Sequence, residues 1–221
     1  MENLFTALAG DYDAWYETPL GSYCERVEMQ ALERVLGPGE GADLLEVGAG
    51  TGRVAVHVAG LGWRVTAVEP CLAMVAAGRS SFRRFPWILA RGEALPFGDG
   101  RYRSVLLFTV IEFVADPGRV LAEAWRVLLP GGRLVVGFLR PGTAWTALYR
   151  RQAAAGVAPW TAARFPTRET LERLLGQPSF RHAAAVYLPP ETAEGFEAAD
   201  RAAREAGCEP ALEVVAWKKG T

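Results

Sequence analysis

The chain has 221 residues, of which half are hydrophobic and 22% are charged, a composition typical of a globular protein that buries a full core. A formal net charge of −1, with no basic run that contains interleaved aromatic residues, argues against nucleic acid as a partner. No apolar run approaches the ~20 residues of a membrane span, and the first residues do not resemble a signal peptide. We therefore expect a cytoplasmic protein without a membrane partner.

The cysteines predict neither a disulfide framework nor a metal site. Cys24, Cys71 and Cys208 are odd in number and far apart, and no Cys/His cluster surrounds them. We expect these cysteines to be incidental or buried free thiols in a reducing cytosol.

The first 40 residues precede the pattern of a nucleotide-binding core. Tyr12, Trp15 and Tyr16 form a dense aromatic cluster within an otherwise polar stretch. Residues 22–36 then show an apolar stripe at helical spacing, which the glycines and proline of residues 37–39 bring to an end.

Residues 44–53, L-L-E-V-G-A-G-T-G-R, form an apolar strand followed by a glycine turn. Glycines allow a sharp turn and let a ligand approach the backbone closely. A helix that begins at Arg53 would direct its free N–H groups toward that ligand. The dinucleotide fingerprint G-x-G-x-x-G requires a glycine where Arg53 stands, so the pattern here is E-x-G-x-G-x-G with Glu46 before the first glycine, Gly48. The segment predicts a nucleotide-type cofactor site.

A second acid completes this pattern. Residues 63–69 have the alternation of a strand, and Pro70 breaks it directly after Glu69. Glu69 follows Glu46 by 23 residues, close to the ~20-residue offset at which a Rossmann acid meets ribose hydroxyls. Its carboxylate would accept two hydrogen bonds from a ribose diol and would repel the 2′-phosphate of NADP.

The remaining elements follow from periodicity and from turn residues. The central part of the chain predicts a helix over 71–78, a strand over 85–90, a loop over 92–100, a strand over 104–109, a helix from Asp116 that residues 129–132 bring to an end, and a strand over 133–139. The last part predicts a helix over 167–175, a strand over 181–188, a helix over 191–206 and a strand over 212–217. The long aromatic segment 140–165 is either a lid or substrate-binding element, or an ordinary helix packed on the sheet.

With these motifs in place, the chain resembles the class I S-adenosylmethionine-dependent methyltransferases, in particular the ubiquinone/menaquinone-biosynthesis type within the methyltransferase type 11 group. The resemblance covers about residues 11–139 and includes Y-D-x-W-Y, E-x-G-x-G-x-G, A-L-P-F and R-V-L-L-P-G-G-R-L. It implies one α/β domain over 1–221, with a seven-stranded Rossmann-like sheet, mostly parallel but with strand seven antiparallel, and helices on both faces. Residues 1–40 would cap the site, and 140–165 would be the lid or substrate insertion.

The resemblance also implies the cofactor, S-adenosyl-L-methionine, with S-adenosyl-L-homocysteine as product, and a small-molecule methyl acceptor. The residues expected to bind the cofactor are Tyr12, Tyr16, Glu46, Gly48, Ala49, Gly50, Glu69, Pro70, Gly92, Glu93, Ala94 and Thr109. Two arginines depart from the family pattern. Arg91 and Arg103 stand where relatives usually carry acids, so Glu93 or backbone groups would have to recognise the adenine amine.

Methyl transfer from a sulfonium is an in-line displacement, in which the protein mainly aligns the nucleophile and excludes water. A base is needed only if the acceptor must first lose a proton. The sequence predicts no such base: His57 and His182 fit structural or surface roles, and Glu112 either faces the acceptor or is a helix-surface or capping carboxylate. It predicts no metal site.

Three alternatives to a small-molecule methyltransferase stay open. A catalytically silent cofactor-binding partner protein is compatible with Arg91 and Arg103. An NAD-binding oxidoreductase is disfavoured by Arg53. A nucleic-acid or protein methyltransferase would carry an N-P-P-Y-like tetrapeptide after strand four, where T-V-I-E stands. The acceptor, the methylated atom and the oligomeric state cannot be read from the sequence.

Overall fold

The computed structural model describes residues 4–81 and 85–220, which form a seven-stranded sheet with helices around it. The strands are β1 (Asp43–Val47), β2 (Arg64–Val68), β3 (Trp87–Ile88), β4 (Tyr102–Phe108), β5 (Leu128–Leu139), β6 (Arg181–Ala185) and β7 (Leu212–Lys218). The helices are α1 (Pro19–Leu36), α2 (Arg53–Gly60), α3 (Leu72–Ser81), α4 (Pro117–Val127), α5 (Ala144–Ala154), α6 (Arg168–Leu175) and α7 (Phe196–Glu205). Short 3-10 helices span Thr6–Leu8, Tyr12–Glu17 and Trp160–Ala162.

The strand order is β3-β2-β1-β4-β5-β7-β6. The pairs among β1 to β5 are parallel, whereas β7 runs antiparallel to both β5 and β6. This confirms the predicted mostly parallel sheet with an antiparallel strand seven. The order reverses between β1 and β4, so a crevice opens there beyond the carboxyl ends of the strands, where open α/β sheets bind ligands.

The sheet is buried on both faces because successive side chains of a strand point to opposite sides. Leu44 and Leu106 pack with α1 and α2 in one core cluster, while Leu45 and Leu107 pack with α4 and α6 in another. All four leucines are fully buried. The continuous apolar run of β4 therefore reflects a central strand that helices cover on both sides.

Helix boundaries follow local capping. Thr18 accepts a hydrogen bond from the backbone N–H of Gly21 at 3.0 Å and begins α1 earlier than its apolar stripe predicts. Asp116 accepts from the N–H of Arg119 at 2.9 Å, which confirms the predicted start of α4. Gly176 ends α6 in the left-handed conformation, also as expected.

Helix α4 ends at Val127, next to the residues 129–132 that were predicted to stop it, but β5 begins earlier than the predicted residue 133. This stretch belongs to β5, in which Leu128 pairs with Tyr102 and Arg133 pairs with Ser104, with a register shift between them. A proline and two glycines can be part of a strand where a bulge interrupts its regular pairing. Here these turn-forming residues therefore lie in an irregular stretch of strand.

Three other elements are shorter than predicted. Strand β3 contains only Trp87–Ile88. Strand β6 ends at Ala185 because Val186 has a positive φ of 63°. Helix α7 begins at Phe196, after a loop that occupies the first residues of the predicted helix. Across the described residues, no helix is long and apolar enough to cross a membrane.

Candidate cofactor site

A cavity of about 760 Å³ opens where β1 and β4 end, within the ~300–1,000 Å³ typical of small-molecule sites. Its walls come from the loops after β1, β2 and β4, from the loop that contains Gly92, from α1 and from two covering segments. The predicted cofactor residues that line it are Tyr12, Tyr16, Glu46, Gly48, Ala49, Gly50, Glu69, Pro70, Gly92, Glu93 and Thr109. Ala94 is exposed and does not line the cavity.

The glycine loop is held against β2. The N–H groups of Gly48 and Ala49 donate to the carbonyl of Val68 at 2.8 and 3.0 Å. Gly48 has a φ of +77°, and a Cβ at this position would lie 2.4 Å from a methyl carbon of Val110. A side chain is therefore excluded at Gly48 both by backbone conformation and by the approach of the loop after β4.

Glu69 joins the glycine loop to the end of β2. Its Oε2 accepts from the N–H of Gly50 at 2.9 Å, and its Oε1 accepts from the N–H of Cys71 at 2.8 Å. Burial raises the pKa of Glu69, and these two N–H groups partly oppose that effect. Each oxygen keeps acceptor capacity for a further donor from the cavity.

Glu46 is a buried acid at the same strand end. It is 2% exposed, and its Oε2 has no hydrogen-bond partner among the described residues. Burial, with a smaller effect from Glu69, raises the pKa of Glu46 to about 8. A buried carboxyl without a partner costs stability, and such groups concentrate at functional sites.

Arg91, where the family usually places an acid, pairs with a neighbour on its own loop. Its guanidinium lies 3.3 Å from Oε1 of Glu93, and the Arg91 side chain is largely exposed. Burial alone would raise the pKa of Glu93, but the hydrogen bonds from Arg91 and from backbone N–H groups hold it below its usual value. The Glu93 carboxylate is thus already engaged. Arg103 is exposed within β4.

Thr109 stands directly after β4 with a φ of +51°. A β-branched residue in the left-handed region is strained, and such strain clusters at ligand sites. The conformation is maintained by two hydrogen bonds, from its N–H to the carbonyl of Gly137 and from its hydroxyl to the carbonyl of Phe108, both at 2.8 Å.

The two readings of Glu112 as an acceptor ligand or a helix carboxylate are both wrong. Glu112 is 1% exposed and does not line the cavity. Its Oε1 accepts from the N–H of Leu139 at 2.5 Å, and its carbonyl accepts from the N–H of Arg164 at 2.8 Å. Burial raises its pKa to about 7. Glu112 joins the loop after β4 to the end of β5 and to the segment that covers the cavity.

The N-terminal segment is attached to the glycine loop by polar contacts. The hydroxyl of Thr51 donates to Asp13 at 2.8 Å. Arg53 donates two hydrogen bonds to Glu25 of α1, each at 2.7 Å, and its guanidinium lies 4.7 Å from the ring centre of Tyr16. The arginine that replaces the third dinucleotide glycine therefore positions the cap of the cavity.

Aromatic contacts connect the N-terminal segment with residues 140–165. The rings of Trp15 and Trp145 meet edge to face at 6.3 Å, and Tyr149 stacks on Trp160 at 3.7 Å. Trp160 also lies 5.8 Å from Phe113 of the loop after β4. Thr161 to Arg164, which follow Trp160, line the cavity. Segment 140–165 thus contains a helix, α5, and also contributes to the cavity wall.

Several lining residues carried no predicted role, among them Glu25, Glu28, Met74 and Val110. Glu28 is the most informative, because it lies in a row with Cys24 and Leu32 at i, i+4 spacing on α1. A carboxylate on the buried face of an amphipathic helix is the signal that could have identified it.

The histidines lie outside the cavity. His57 Nε2 is 2.9 Å from Glu33, and His182 is exposed on β6. Within the described ranges, no group of three or more His, Cys, Asp or Glu residues could hold a metal ion.

Residues 45–136 match the family model described as a methyltransferase domain. An uncharacterised protein of Mycobacterium bovis is 39% identical over 173 residues, which are 78% of this chain and 58% of that protein. A demethylmenaquinone methyltransferase of Tropheryma whipplei is 37% identical over 110 residues, 48% of this chain and 46% of that enzyme. The chain thus spans less than two thirds of the length of these relatives.

Similarity to a solved structure extends along almost the whole chain. It is a Thermotoga maritima methyltransferase dependent on S-adenosylmethionine, described as a possible histamine N-methyltransferase. The two chains are 26% identical, the match covers 98% of each, and the TM-score is 0.78.

Proposed function

We propose that this chain is a class I S-adenosylmethionine-dependent methyltransferase and that it transfers the cofactor's methyl group to a small-molecule acceptor. The proposal rests on the hydrogen bond from the glycine loop to the Glu69 carboxylate, at the place where the strand order of the sheet reverses. Open α/β sheets bind nucleotide-like ligands at this point.

The residues present fit the two polar ends of the cofactor. Each Glu69 oxygen accepts one backbone N–H and retains capacity for a ribose hydroxyl. Oε2 of Glu46, which lacks a hydrogen-bond partner among the described residues, matches an ammonium group such as that of the methionyl part. The glycine loop supplies the close backbone approach.

The adenine is assigned to backbone groups near Gly92 rather than to a side chain. The Glu93 carboxylate pairs with Arg91, so it is less available to an exocyclic amine. Gly92 is buried against Val47, which lines the cavity and offers apolar surface next to the loop. Ala94, exposed outside the cavity, is assigned no contact.

In the reaction, the bound cofactor supplies an electrophilic methyl carbon on a positively charged sulfur. The chain's own part is to bind the acceptor in line with that methyl group and to exclude water. The aromatic contacts among Trp15, Trp145, Tyr149 and Trp160 give the two covering segments the rigidity for this task. Residues 1–40 and 140–165 are therefore assigned as cap and lid of one domain.

Calorimetric titration with S-adenosylmethionine, S-adenosylhomocysteine and NAD tests the cofactor assignment. We expect micromolar binding of both adenosyl ligands and none of NAD. Glu69→Ala should weaken their binding at least tenfold, because hydrogen bonds to a charged acceptor contribute ~1.5–3 kcal/mol each.

Asp43→Ala is the matched control, since this exposed carboxylate lies at the amino-terminal end of β1, opposite the end at which the cavity opens. Its variant should bind as the parent chain does. Preference for NAD, or unchanged affinity in Glu69→Ala, would overturn the assignment.

A further inference from the structure

Glu28 lines the same cavity as Glu46 and Glu69, but it belongs to α1 and not to a strand end. Among the residues that the structure describes, the Glu28 side chain makes no hydrogen bond or ion pair. Its neighbour Glu25, one turn earlier, is by contrast paired with Arg53. Glu28 is therefore a free acid in the cavity wall for which the cofactor assignment leaves no role.

The surroundings of Glu28 are mostly apolar. It shares the i, i+4 row of Cys24 and Leu32, both of which are buried in the core. Burial, with a smaller effect from Glu25, raises the pKa of Glu28 to about 8. An acid of this kind costs stability, whereas an apolar residue at the same position would not, so it has the properties of a group retained for a ligand.

Two tyrosine rings lie within electrostatic reach of Glu28. Tyr12 and Tyr16 line the cavity with their ring centres 6.1 Å apart. Burial raises the pKa of both tyrosines, and the charge of Glu28 adds to the increase in each. The charge of Glu69 acts on Tyr12 as well. Tyr12 therefore stands near both the proposed ribose site and Glu28.

Among the other groups near Glu28, the cation Arg53 is paired with Glu25 and lies 4.7 Å from the ring centre of Tyr16. Tyr149 of α5 and Cys24 of α1 are within its electrostatic reach, and burial is the main cause of the raised pKa of each. The guanidinium of Arg53 is occupied by Glu25, and Arg164, on the covering segment, is exposed. Nothing described near the Glu28 carboxyl neutralises its charge.

We infer that the methyl acceptor is an amine, and that its ammonium group binds between the Glu28 carboxylate and the faces of Tyr12 and Tyr16. An ammonium gains a charge-assisted hydrogen bond from the acid and cation–π attraction from the rings. An anionic acceptor would instead meet an unpaired acid. The inference rests on the proposed function, because it assigns the acceptor of the same site.

Glu28 would also remove the proton that blocks the reaction. The ammonium transfers one proton to the Glu28 carboxylate and becomes a neutral amine with a free lone pair. That lone pair forms the new N–C bond as the C–S bond breaks, with the bonding electrons left on sulfur. The proton on Glu28 then passes to solvent. A pKa of about 8 suits a base that works near neutral pH.

The test compares 2-phenylethylamine with 2-phenylethanol, which has the same shape but no charge, on the chain saturated with S-adenosylhomocysteine. At pH 8.5 Glu28 is mostly ionised, and an alkylammonium, with a pKa near the ~10.4 of lysine, stays protonated. We expect the amine to bind at least tenfold more tightly than the alcohol. In Glu28→Gln this preference should fall below threefold, with affinity for S-adenosylhomocysteine unchanged.

Glu33→Gln is the matched control, because it makes the same change on the same helix at a residue that pairs with His57 outside the cavity. It should retain the preference. Equal binding of amine and alcohol, binding of neither at millimolar concentration, or an undiminished preference in Glu28→Gln would each overturn the inference. Failure of S-adenosylhomocysteine to bind would instead refute the proposed function, and the two probes would then be compared on the chain alone.

Discussion

At the scale of single residues, the site is defined by acids whose ionised form is disfavoured by burial in the free chain. Glu46 and Glu28 both have a pKa raised to about 8 by burial, and neither has a cationic partner among the described residues. Most buried acids in proteins are neutralised by a basic neighbour, as Glu213 is by Arg140 and Arg168. Acids left unneutralised around one cavity indicate a ligand that brings positive charge.

Proton release on cofactor binding follows from the raised pKa of Glu46. In the free chain below pH 8 this carboxyl is mostly protonated, and a bound ammonium lowers its pKa, so a proton must leave. At pH 6.5 we expect close to one proton released per S-adenosylhomocysteine bound, and affinity that rises by up to ~10-fold per pH unit between pH 6 and 7.5.

Calorimetry in two buffers of different ionisation enthalpy counts these protons. Glu46→Gln should abolish most of the release, since an amide does not titrate in this range. If the parent chain and the variant released the same number of protons, the ammonium would not be bound at Glu46.

Sequence reasoning at this scale located residues at the cavity where their position depends on local structure. Glu46 and Glu69 were predicted because each ends a strand beside a turn, and the strand direction alone points both at the same crevice. Glu28 carried no such signal, since its role depends on which face of α1 meets the cavity. Glu112 was misassigned because its buried position depends on β5, which is distant in sequence.

At the scale of elements, strained connections are held by side chains from other elements. Val186 ends β6 with a φ of +63°. The following N–H groups of Tyr187 and Leu188 donate to one oxygen of Asp200 in α7, at 2.6 and 3.0 Å. The carbonyl of Leu188 accepts from the indole N–H of Trp145 at 2.8 Å, which connects this bend to α5 and the proposed lid.

Removal of Asp200 should therefore destabilise the fold. In Asp200→Ala two backbone N–H groups lose their acceptor, and we expect the free energy of unfolding to fall by about 2–3 kcal/mol in denaturant titration. Glu205→Ala, an exposed change at the end of the same helix, should stay within about 0.5 kcal/mol of the parent chain. A loss below 1 kcal/mol for Asp200→Ala would show that water replaces the carboxylate.

At the scale of the whole molecule, one cavity receives residues from segments that are far apart in the chain. The N-terminal segment, α1, the strand ends and residues 161–164 all contribute to its wall. A ligand that fills the cavity therefore contacts all of these elements at once, and its binding energy adds to the stability of the folded state.

Thermal unfolding measures this linkage. At ~100 times its dissociation constant, S-adenosylhomocysteine should stabilise the chain by ~2.7 kcal/mol and raise Tm by about 5–11 °C, whereas NAD at equal concentration should not. Gly50→Val should lose the shift, because φ is +56° at this position and the added side chain would project from the glycine loop at the cavity. A full shift in Gly50→Val would contradict the proposed place of the cofactor.

The sequence by itself determined the strand and helix order, the glycine loop and the two strand-end acids, because each depends on neighbours within a few residues or on strand direction. Only the tertiary structure decided that the proline and glycines at 130–132 extend β5, that Glu112 is buried under β5 and that Glu28 faces the cavity. These outcomes depend on pairing and packing between residues far apart in the chain. Such contacts are set by the geometry of the whole fold, and local periodicity alone does not determine them.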